Sequence, residues 1–455
     1  MKKLIYSAFA AVMLFTATSC SDSDLDPTLA QSKDLESNVK TVEDVRGILL
    51  GAYNRMSSSA YYGRDYIIIG EVRSDNTFSN ANSNRFVRES RMDILPTQSG
   101  GVWNQLYRVI GSANIIINAT DLTGDQATLD HYKGQALAIR ALAHFDLVKL
   151  YGQQHVTGSD LGVPYVTTFR EPGEYFPTRK TAAEVKTLAI ADLDAALGLM
   201  NAANDDASKQ TITSHAVNAI KAKIALYFGD MATASAAALL VINSNAFTIP
   251  ASGDFAATFA TDSASNSVFE IAASSTDNSG INGLSNIYRG SVYGDIAVLQ
   301  DLVSIYDAGD VRGSAAFIAV DGAGFTRNMA KYPSAAFDDN ISVIRYEEVV
   351  LIYAEAILAT NPTGSLTHLN SVAGKRGATP YGASSLANIL LERRKEFAFE
   401  GMRFHDLARR GMSIPLVDAI NQSHGGPAYG NFKFAYPIPA GEVDVNSNVV
   451  QNQGY

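Results

Sequence analysis

The sequence predicts a mainly α-helical fold in which pairs of helices are interrupted by long irregular loops. In several segments at both ends of the chain, apolar residues recur every three or four positions, the period of a helix packed on one face. Between about residues 246 and 340, serine, asparagine, aspartate and glycine dominate and this period is lost. We therefore expect helical parts at about 36–245 and 341–455, with a loop-rich insert at about 246–340.

The beginning of the chain has the pattern of an export signal. Lys2 and Lys3 precede an apolar run that is too short to span a bilayer, and small residues follow it. Cys20, the only cysteine in the chain, comes directly after them, where a bacterial lipoprotein is cut and acylated. We predict a signal peptide at 1–19, lipidation of Cys20 and a flexible acidic tether at 20–35. An ordinary secretory signal is the alternative.

Charge and cysteine content exclude several classes of function. The sequence has 46 acidic and 36 basic residues, a net charge of −10, and removal of Lys2 and Lys3 with the signal would make the charge more negative still. Such a chain has no positive field to attract nucleic acid or anionic lipid headgroups, so contact with a membrane would depend on acyl chains alone. One cysteine allows neither an internal disulfide nor a cysteine-ligand zinc site. We expect no cofactor and no metal.

Helical spacing is clear at several places in the first half of the chain. The first predicted helix runs from about Thr41 to Met56, and a loop-like block rich in turn-forming residues follows at 57–80. Helical spacing resumes at Trp103, which we expect in the core. A further helix is predicted at Gln135–Tyr151.

The next helices are rich in alanine. Thr181-Ala-Ala-Glu184 has the pattern of a capping box, which opens a helix. Two more helices are predicted at His215–Phe228 and Met231–Ile242, and their small residues would let neighbouring helices approach closely. Paired helices of this kind resemble tetratricopeptide-type hairpins. After the insert, helices are predicted at Ile344–Ile357 and Leu366–Val372.

A stripe of alternating charge marks the last strong helical stretch, Leu391–Arg410. Arg393, Glu396, Glu400 and Arg403 follow one another at steps of three or four, which would place them on one face of a helix. Gly401, within the stripe, indicates a break between two helical pieces. We interpret the stripe as a structural ion-pair network, with a catalytic role as the alternative.

This stretch also resembles a known family. The pattern R-R-x-E-F-x-F-E-G-x-R-x-x-D-L-x-R at 393–409 resembles the C-terminal signature of the SusD/RagB family, outer-membrane lipoproteins that capture nutrients for a TonB-dependent transporter. Residues 138–152 and 344–356 are similar to two further helices of that family. Residues 436–446 and 451–455 are similar to its ending.

The resemblance implies a fold, a partner and a ligand. The fold would be a superhelix of tetratricopeptide-like helix pairs carrying a ligand surface built from loops, formed by residues 36–455. The partner would be a SusC-like TonB-dependent transporter, and the ligand a glycan or an oligopeptide. The protein would face the cell surface at the outer membrane, since the acidic residues after Cys20 resemble the surface-export signal of such lipoproteins.

Residues suited to such a ligand are found in two irregular inserts. Aromatic faces suit sugar rings or apolar peptide side chains, while Asn, Asp and Arg form directed hydrogen bonds. We expect loops to carry recognition because the helices are largely packed against one another. The predicted contacts are Tyr61, Tyr62, Asp75, Asn76, Phe78, Asn80 and Arg85 in the first insert and Asn282, Asn286, Tyr288, Arg289 and Tyr293 in the second. The alternative for each is that it fixes its loop to the core.

The sequence offers no catalytic residue. A Ser-x-x-Lys at 37–40, Ser74-Asp-Asn76 and Lys180-Thr-Ala182 follow the order of the serine β-lactamase motifs. However, Ala182 replaces a required glycine, and we expect Lys180–Ala182 to open a helix. Adjacent carboxylates such as Glu347 and Glu348 diverge on a helix and cannot flank one glycosidic bond. We therefore predict a binding protein that is not an enzyme; a helical scaffold that binds only another protein, and then a hydrolase, are the alternatives.

Overall fold

The structure is a computed structural model that describes residues 39–171, 173–289 and 292–455. The predicted signal peptide, Cys20 and the tether at 20–35 lie outside these residues. Residues Lys40–Tyr455 form one compact unit. Within the described part of the chain, no helix combines the length and the apolar character needed to cross a bilayer.

Helices of the N-terminal part pack on one another in chain order. Their bounds are α1 Val42–Met56, α2 Asp65–Val72, α3 Val87–Arg91, α4 Gly100–Asn118, α5 Gln126–Tyr151, α6 Ala182–Leu199, α7 Ser214–Tyr227 and α8 Met231–Asn243. Helix α1 contacts α4, and from α4 to α8 each long helix contacts the next. This succession confirms the predicted mainly α fold of packed helices.

Two capping boxes begin helices where the sequence has threonine and, three residues later, an acidic residue. The Thr181 side chain accepts a hydrogen bond from Glu184 N at 3.2 Å, and the Glu184 carboxylate accepts one from Thr181 N at 2.7 Å. Thr41 and Asp44 form the same arrangement at the start of α1. The capping box predicted at Thr181 is confirmed, and each cap contributes about 1 kcal/mol to the stability of its helix.

Helix α5 is longer than predicted and lies in the centre of the first half. It begins at Gln126, not Gln135, because Asp125 caps it by accepting a hydrogen bond from Thr128 N at 2.8 Å. Most of its residues are buried, so it contacts neighbours on every side. Trp103 on α4 is buried as predicted and packs edge-on against Tyr151 of α5.

The block at 57–80, which we predicted to be loop-like, contains helix α2, so this prediction is wrong for residues 65–72. Its residues from Tyr66 to Val72 are all buried, so it has no polar face and no period that sequence analysis could detect. Helix α2 packs directly against Gly401: a Cβ added at Gly70 would lie 2.1 Å from the Gly401 carbonyl oxygen. Only glycine fits at Gly70, because any side chain would collide with that backbone.

Helices of the C-terminal part continue the packing of the N-terminal part. Their bounds are α9 Ser252–Phe255, α10 Leu284–Arg289, α11 Gln300–Ser304, α12 Tyr346–Ala356, α13 Pro362–Lys375, α14 Leu386–Glu396, α15 Arg403–Arg409 and α16 Ala440–Val445. Helix α12 contacts α8, α13 and α14. Val350, Leu351, Leu369, Val372 and Ile389 form a buried cluster between α12, α13 and α14.

The strands are short and pair over long distances in the sequence. Their bounds are β1 Thr77–Ser79, β2 Ser267–Ile271, β3 Ile296–Val298, β4 Ile318–Val320, β5 Thr326–Asn328 and β6 Ile341–Arg345. They form three antiparallel pairs among the described residues, β1–β3, β2–β6 and β4–β5. Ile344 and Arg345, predicted in a helix, belong to β6, because their backbone pairs with β2 and α12 begins only at Tyr346.

The predicted helical stretch Leu391–Arg410 is divided by a wider break than expected. Helix α14 ends at Glu396, and α15 begins at Arg403. Between them Phe399 and Gly401 adopt left-handed backbone angles, with φ of 73° and 76°. Charged residues on either side of this break therefore cannot lie along one helical face.

Candidate functional site

The charged stripe is a set of buried ion pairs, as predicted, but its members pair with other residues. The side chains of Arg393, Glu396 and Glu400 are at most 6% exposed, and that of Arg403 is 10% exposed. Arg393 Nε donates to Asp406 Oδ2 at 2.8 Å. The expectation that the four stack along one helical face is wrong, because the helix ends at Glu396.

Glu396 lies at the centre of this network. Its carboxylate accepts hydrogen bonds from Arg312 Nη1 at 2.9 Å, Arg345 Nη1 at 2.8 Å and Arg376 Nη2 at 3.0 Å. Burial alone would raise the pKa of Glu396, but these three guanidinium groups hold it well below its usual range. A carboxylate held in this way stays ionised at neutral pH and suits a structural role better than proton transfer.

Tyr61 and Tyr62, predicted as ligand contacts, are buried and hold the first insert against α5. Both hydroxyl groups donate to Asp146 Oδ2 at 2.6 Å, and Tyr66 donates to Oδ1 of the same carboxylate at 2.5 Å. Lys149 Nζ lies 3.0 Å from Asp146 Oδ1. The structure thus gives these tyrosine hydroxyls partners inside the protein.

Asp75 and Asn76 are buried as well and connect the first insert to the helices α14 and α15. Both oxygens of Asp75 accept hydrogen bonds from Arg403, at 2.7 and 2.8 Å. Asn76 donates to Glu71 at 3.2 Å and accepts from Arg394 Nε at 2.9 Å. Burial raises the pKa of Glu71 to about 7, since no cation bonds to its carboxylate among the described residues.

Two predicted aromatic contacts, Phe78 and Tyr288, belong to the packed interior. Phe78 lies in β1 and packs against Ala297 of β3 in a small apolar cluster. Tyr288 is fully buried, stacks on Tyr332 with ring centres 6.0 Å apart and donates from its hydroxyl to the Phe399 carbonyl at 3.3 Å.

Asn286 is buried too, and it forms a hydrogen bond with the residue before Tyr293. Its side chain donates to the Ile281 carbonyl at 2.6 Å and accepts from Val292 N at 3.1 Å. Arg289 donates to two backbone carbonyl groups of the neighbouring segment. Through these hydrogen bonds, both residues hold the second insert against the neighbouring backbone.

The structure brings the two inserts together, although they are about 200 residues apart in the sequence. Strands β1 and β3 pair, and Asn80 N donates to the Asp295 carbonyl at 2.9 Å. The Asn80 side chain donates to the Gly294 carbonyl at 2.9 Å, and that of Asn82 to the Tyr293 carbonyl. We call the resulting face the junction surface; its members are Asn80, Asn82, Ser83, Arg85, Asn282 and Tyr293.

Arg85 and Tyr293 form the centre of the junction surface. The guanidinium carbon of Arg85 lies 3.9 Å from the centre of the Tyr293 ring. Arg85 also donates to Ser83 Oγ and to Asn282 Oδ1, both at 2.9 Å. Its side chain remains 30% exposed, and Tyr293 is partly exposed. These two predicted contacts are therefore fixed in place and accessible to solvent.

The backbone between the junction-surface residues of the first insert is strained. Ala81, Asn84 and Phe86 all have left-handed backbone angles, with φ of 61°, 63° and 57°. Asparagine tolerates this conformation, but a bulky aromatic residue such as phenylalanine rarely adopts it. Strain of about 1–3 kcal/mol per residue is found most often at binding and catalytic sites. Its concentration in this loop supports a binding role.

Sequence analysis missed Asn82 and Ser83, which complete the junction surface. Ser83 donates from its backbone N and from its hydroxyl to the Asp295 carboxylate, both at 2.7 Å. The run Asn80-Ala-Asn-Ser-Asn84 is visible in the sequence, but such a composition is equally typical of a plain linker.

Other chemistry finds little support among the described residues. The structure describes no group of three or more His, Cys, Asp or Glu side chains placed to hold a metal ion. Ser74 of the β-lactamase-like pattern is buried and donates to the Glu71 carbonyl at 2.7 Å. Thr181 caps α6, as expected, so the third motif lies at a helix start, whereas Ser37 lies outside the described residues.

Two family models and several curated proteins match the chain. A SusD-like model described as "Starch-binding associating with outer membrane" matches residues 24–226, and the SusD family model matches residues 324–455. SusD-like protein P2 of Formosa agariphila is 24% identical over 526 residues, which is 100% of both chains. The starch-binding protein SusD of Bacteroides thetaiotaomicron is 31% identical over 133 residues, 28% of this chain and 23% of that protein.

Solved structures share the fold over most of the chain. A SusD superfamily protein from Bacteroides thetaiotaomicron is 26% identical, with a TM-score of 0.83, and the match covers 90% of this chain and 99% of that one. One from Bacteroides vulgatus is 26% identical, with a TM-score of 0.83 and coverage of 91% and 99%. The family models match residues in both helical parts, and each of these structures covers 90% or more of the chain. The protein belongs to the SusD/RagB family.

Proposed function

We propose that this protein binds a glycan at the junction surface and delivers it to a SusC-like TonB-dependent transporter. The observation that carries the proposal is the Arg85–Tyr293 pair, an aromatic ring and a cation held together at 3.9 Å on a solvent-accessible face. The starch-binding description of the matching family model and the name of the relative from Bacteroides thetaiotaomicron support a carbohydrate as the ligand.

The groups of the junction surface suit a sugar. A pyranose ring has an apolar C–H face, which packs well on an aromatic side chain such as Tyr293, and hydroxyl groups around its edge. Asn82 and Asn282 are exposed, and their amides both donate and accept hydrogen bonds. Arg85 adds further donors. Because Arg85 is already held by Ser83 and Asn282, little conformational entropy is lost when a ligand binds.

The proposed site contains fewer residues than the set of ligand contacts predicted from the sequence. Seven predicted contacts are buried and bonded or packed within the protein: Tyr61, Tyr62, Asp75, Asn76, Phe78, Asn286 and Tyr288. We assign these seven a supporting role and assign ligand contact to Arg85, Tyr293 and the exposed amides beside them. Direct contact at the buried positions stays a prediction of the sequence alone.

We further propose that the protein is a lipoprotein of the outer membrane, anchored through Cys20 and facing the cell surface. The proposal rests on the signal-like pattern at 1–19, with the tether at 20–35, and on the outer-membrane association of the family. Two or more acyl chains hold a protein firmly on a bilayer. Cys20→Ala should therefore release the protein into a soluble fraction, and a variant that stays with membranes would contradict the anchor.

The glycan proposal is tested by an array that carries α-glucans of the starch type, β-glucans and oligopeptides, probed with the mature protein. We expect glycans to be retained. The glycan that binds is then titrated against Arg85→Ala and Tyr293→Ala, with Tyr175→Ala as the matched control, since Tyr175 is an exposed tyrosine (56%) outside the junction surface.

Loss of the ring or of the guanidinium group should weaken binding by about 1–3 kcal/mol, roughly 5- to 150-fold, without changing the melting temperature. The control should bind as the native protein does. If the array retains the protein only at oligopeptides, the ligand is a peptide and not a glycan. If the protein binds a transporter but no glycan or peptide of the array, the scaffold alternative is favoured.

A further inference from the structure

A cavity lies away from the junction surface. Its volume is about 630 Å³, within the range of roughly 300–1,000 Å³ typical of small-molecule sites. It opens between the segment after α9 and the segment that precedes β6. Its walls include Phe259, Asp262, Glu270, Asp338, Asp339 and Asn340. None of the residues that line it belongs to the junction surface.

Phe259 gives the cavity a fixed aromatic wall. Its ring packs on Phe255 and Phe317, with ring centres 5.2 and 6.4 Å apart. Lys331 Nζ and the Arg345 guanidinium carbon lie 5.2 and 5.5 Å from the centre of the Phe259 ring. Held by these neighbours but only half-buried, the ring offers an apolar surface that suits the C–H face of a sugar.

Hydrogen-bond acceptors surround this wall. Asp338 Oδ1 accepts a hydrogen bond from Ser334 Oγ at 2.5 Å and Asp339 Oδ2 accepts one from Ser334 N at 2.7 Å. The structure describes no donor to the other oxygen of either carboxylate. Asp262 is exposed and, within the described ranges, receives no hydrogen bond. Ionised carboxylates only accept hydrogen bonds, so these free oxygens match the hydroxyl donors of a sugar or an ammonium group.

The same lining disfavours anions. No Lys, Arg or His is among the residues that line the cavity. Glu400 in the wall is paired with Lys331 and Arg345, whereas Asp262, Asp338 and Asp339 have no such pairing among the described residues. Burial, together with the neighbouring carboxylates, raises the pKa of Asp339 to about 6.

We propose that this cavity is a second carbohydrate site, for a neutral or amino sugar, and that its carboxylates exclude acidic sugars. The inference rests on the proposed glycan binding and extends it to a separate place in the fold. The cavity, with Phe259 as its wall and free acceptor oxygens around it, provides the binding. The carboxylates determine which sugars are accepted.

The test uses the mature protein and three monosaccharides of the same ring size, glucose, glucosamine and glucuronic acid. Saturation-transfer NMR measures binding at pH 7.5 to the native protein, Phe259→Ala and Tyr293→Ala. We expect glucosamine to bind more tightly than glucose, and glucuronic acid to give no signal. Phe259→Ala should weaken the binding of glucosamine and of glucose at least tenfold, whereas Tyr293→Ala should leave the binding of both sugars unchanged.

A second pair of changes tests the charge without removing the aromatic wall. Asp262→Asn combined with Asp339→Asn should abolish the preference for glucosamine over glucose and keep the native melting temperature. Native binding in Phe259→Ala, or equal binding of glucuronic acid and glucosamine, would overturn the second site.

The two proposals fail separately. If Tyr293→Ala loses array-identified glycans while no monosaccharide binds the cavity, the second site is wrong and the proposed function stands. If neither glycans nor monosaccharides bind the native protein, both are wrong.

Discussion

The buried network around Glu396 and the junction surface use the same kinds of side chain for opposite purposes. In the network, three arginines surround Glu396, and the same arginines also pair with four other buried carboxylates, so their charges are compensated inside the protein. At the junction surface, Arg85 lies on an aromatic ring, remains 30% exposed and forms only a long ion pair, with Asp295 Oδ2 4.0 Å away. The first arrangement is closed to a ligand, whereas the second leaves donors and a ring available.

This difference explains why the most recognisable motif of the chain is not its proposed binding site. The motif at 393–409 is constrained by many simultaneous ion pairs, which demand particular residues at particular steps. The junction surface depends on loop geometry and on contacts between distant segments, which fewer sequence rules describe. Changes in the two regions should accordingly affect different quantities, stability in one and affinity in the other.

The largest expected effect is on stability. Glu396→Ala would leave Arg312, Arg345 and Arg376 buried with part of their compensation gone, which should cost about 3–5 kcal/mol of unfolding free energy. Glu396→Gln keeps the shape of the side chain and should lower the unfolding free energy less, so it is the variant to measure if Glu396→Ala does not fold. Asp194→Ala is the control, because Asp194 is 52% exposed and its pair with Lys221 should contribute under about 1 kcal/mol.

Denaturant unfolding and titration with the array-identified glycan check this prediction together. Affinity per folded molecule should stay native in every variant. A Glu396 variant with native stability and lost affinity would make the network a binding site and remove the contrast between the two regions.

A smaller effect is expected from acid. Burial alone would raise the pKa of Asp406, but Arg393 and Arg409 lower it to about 2, against an ordinary value of 3.8. Because the ionised form is favoured in the folded state, its contribution is complete above about pH 4 and is lost as the pH falls from there to about 2. The shift corresponds to roughly 2 kcal/mol.

Asp406→Asn should therefore be less stable than the native protein at pH 7, with a smaller further loss between pH 4 and pH 2. Unfolding free energies measured across this range provide the comparison. An identical decline in variant and native protein would show that Asp406 does not carry this part of the acid sensitivity.

The smallest effect separates the ring of Tyr293 from its hydroxyl group. If the aromatic face packs on a sugar, Tyr293→Phe should keep affinity within about twofold, and Tyr293→Leu should lose about 1 kcal/mol, roughly fivefold. Calorimetric titration with the same glycan measures both. Equal losses in the two variants would assign the contact to the hydroxyl group and not to the ring.

Sequence reasoning worked for the helices that have one buried face. The helix at Val42–Met56 and the capped start at Thr181 were predicted because period and cap chemistry act locally. Helix Asp65–Val72 was missed because it is buried all round and shows no period. Ile344 and Arg345 were placed in a helix because their pairing with Ser267–Ile271 depends on a partner far away in the sequence.

The candidate site was predicted as two regions but not as one surface. Composition pointed to both inserts, and Arg85 and Tyr293 were among the residues chosen. Composition could not distinguish them from Tyr61 or Tyr288, which have the same chemistry but are buried. That distinction requires knowing that the residues around Asn80 pair with those around Gly294, a contact made by the tertiary fold.

The central claim is that ligand binds where the two inserts meet. The most direct test is a crystal structure of the mature protein soaked with the array-identified glycan. We predict sugar density with one ring packed on Tyr293 and a hydroxyl group within hydrogen-bond distance of Arg85. A glycan bound elsewhere, with the Arg85–Tyr293 pair free of ligand, would contradict the claim.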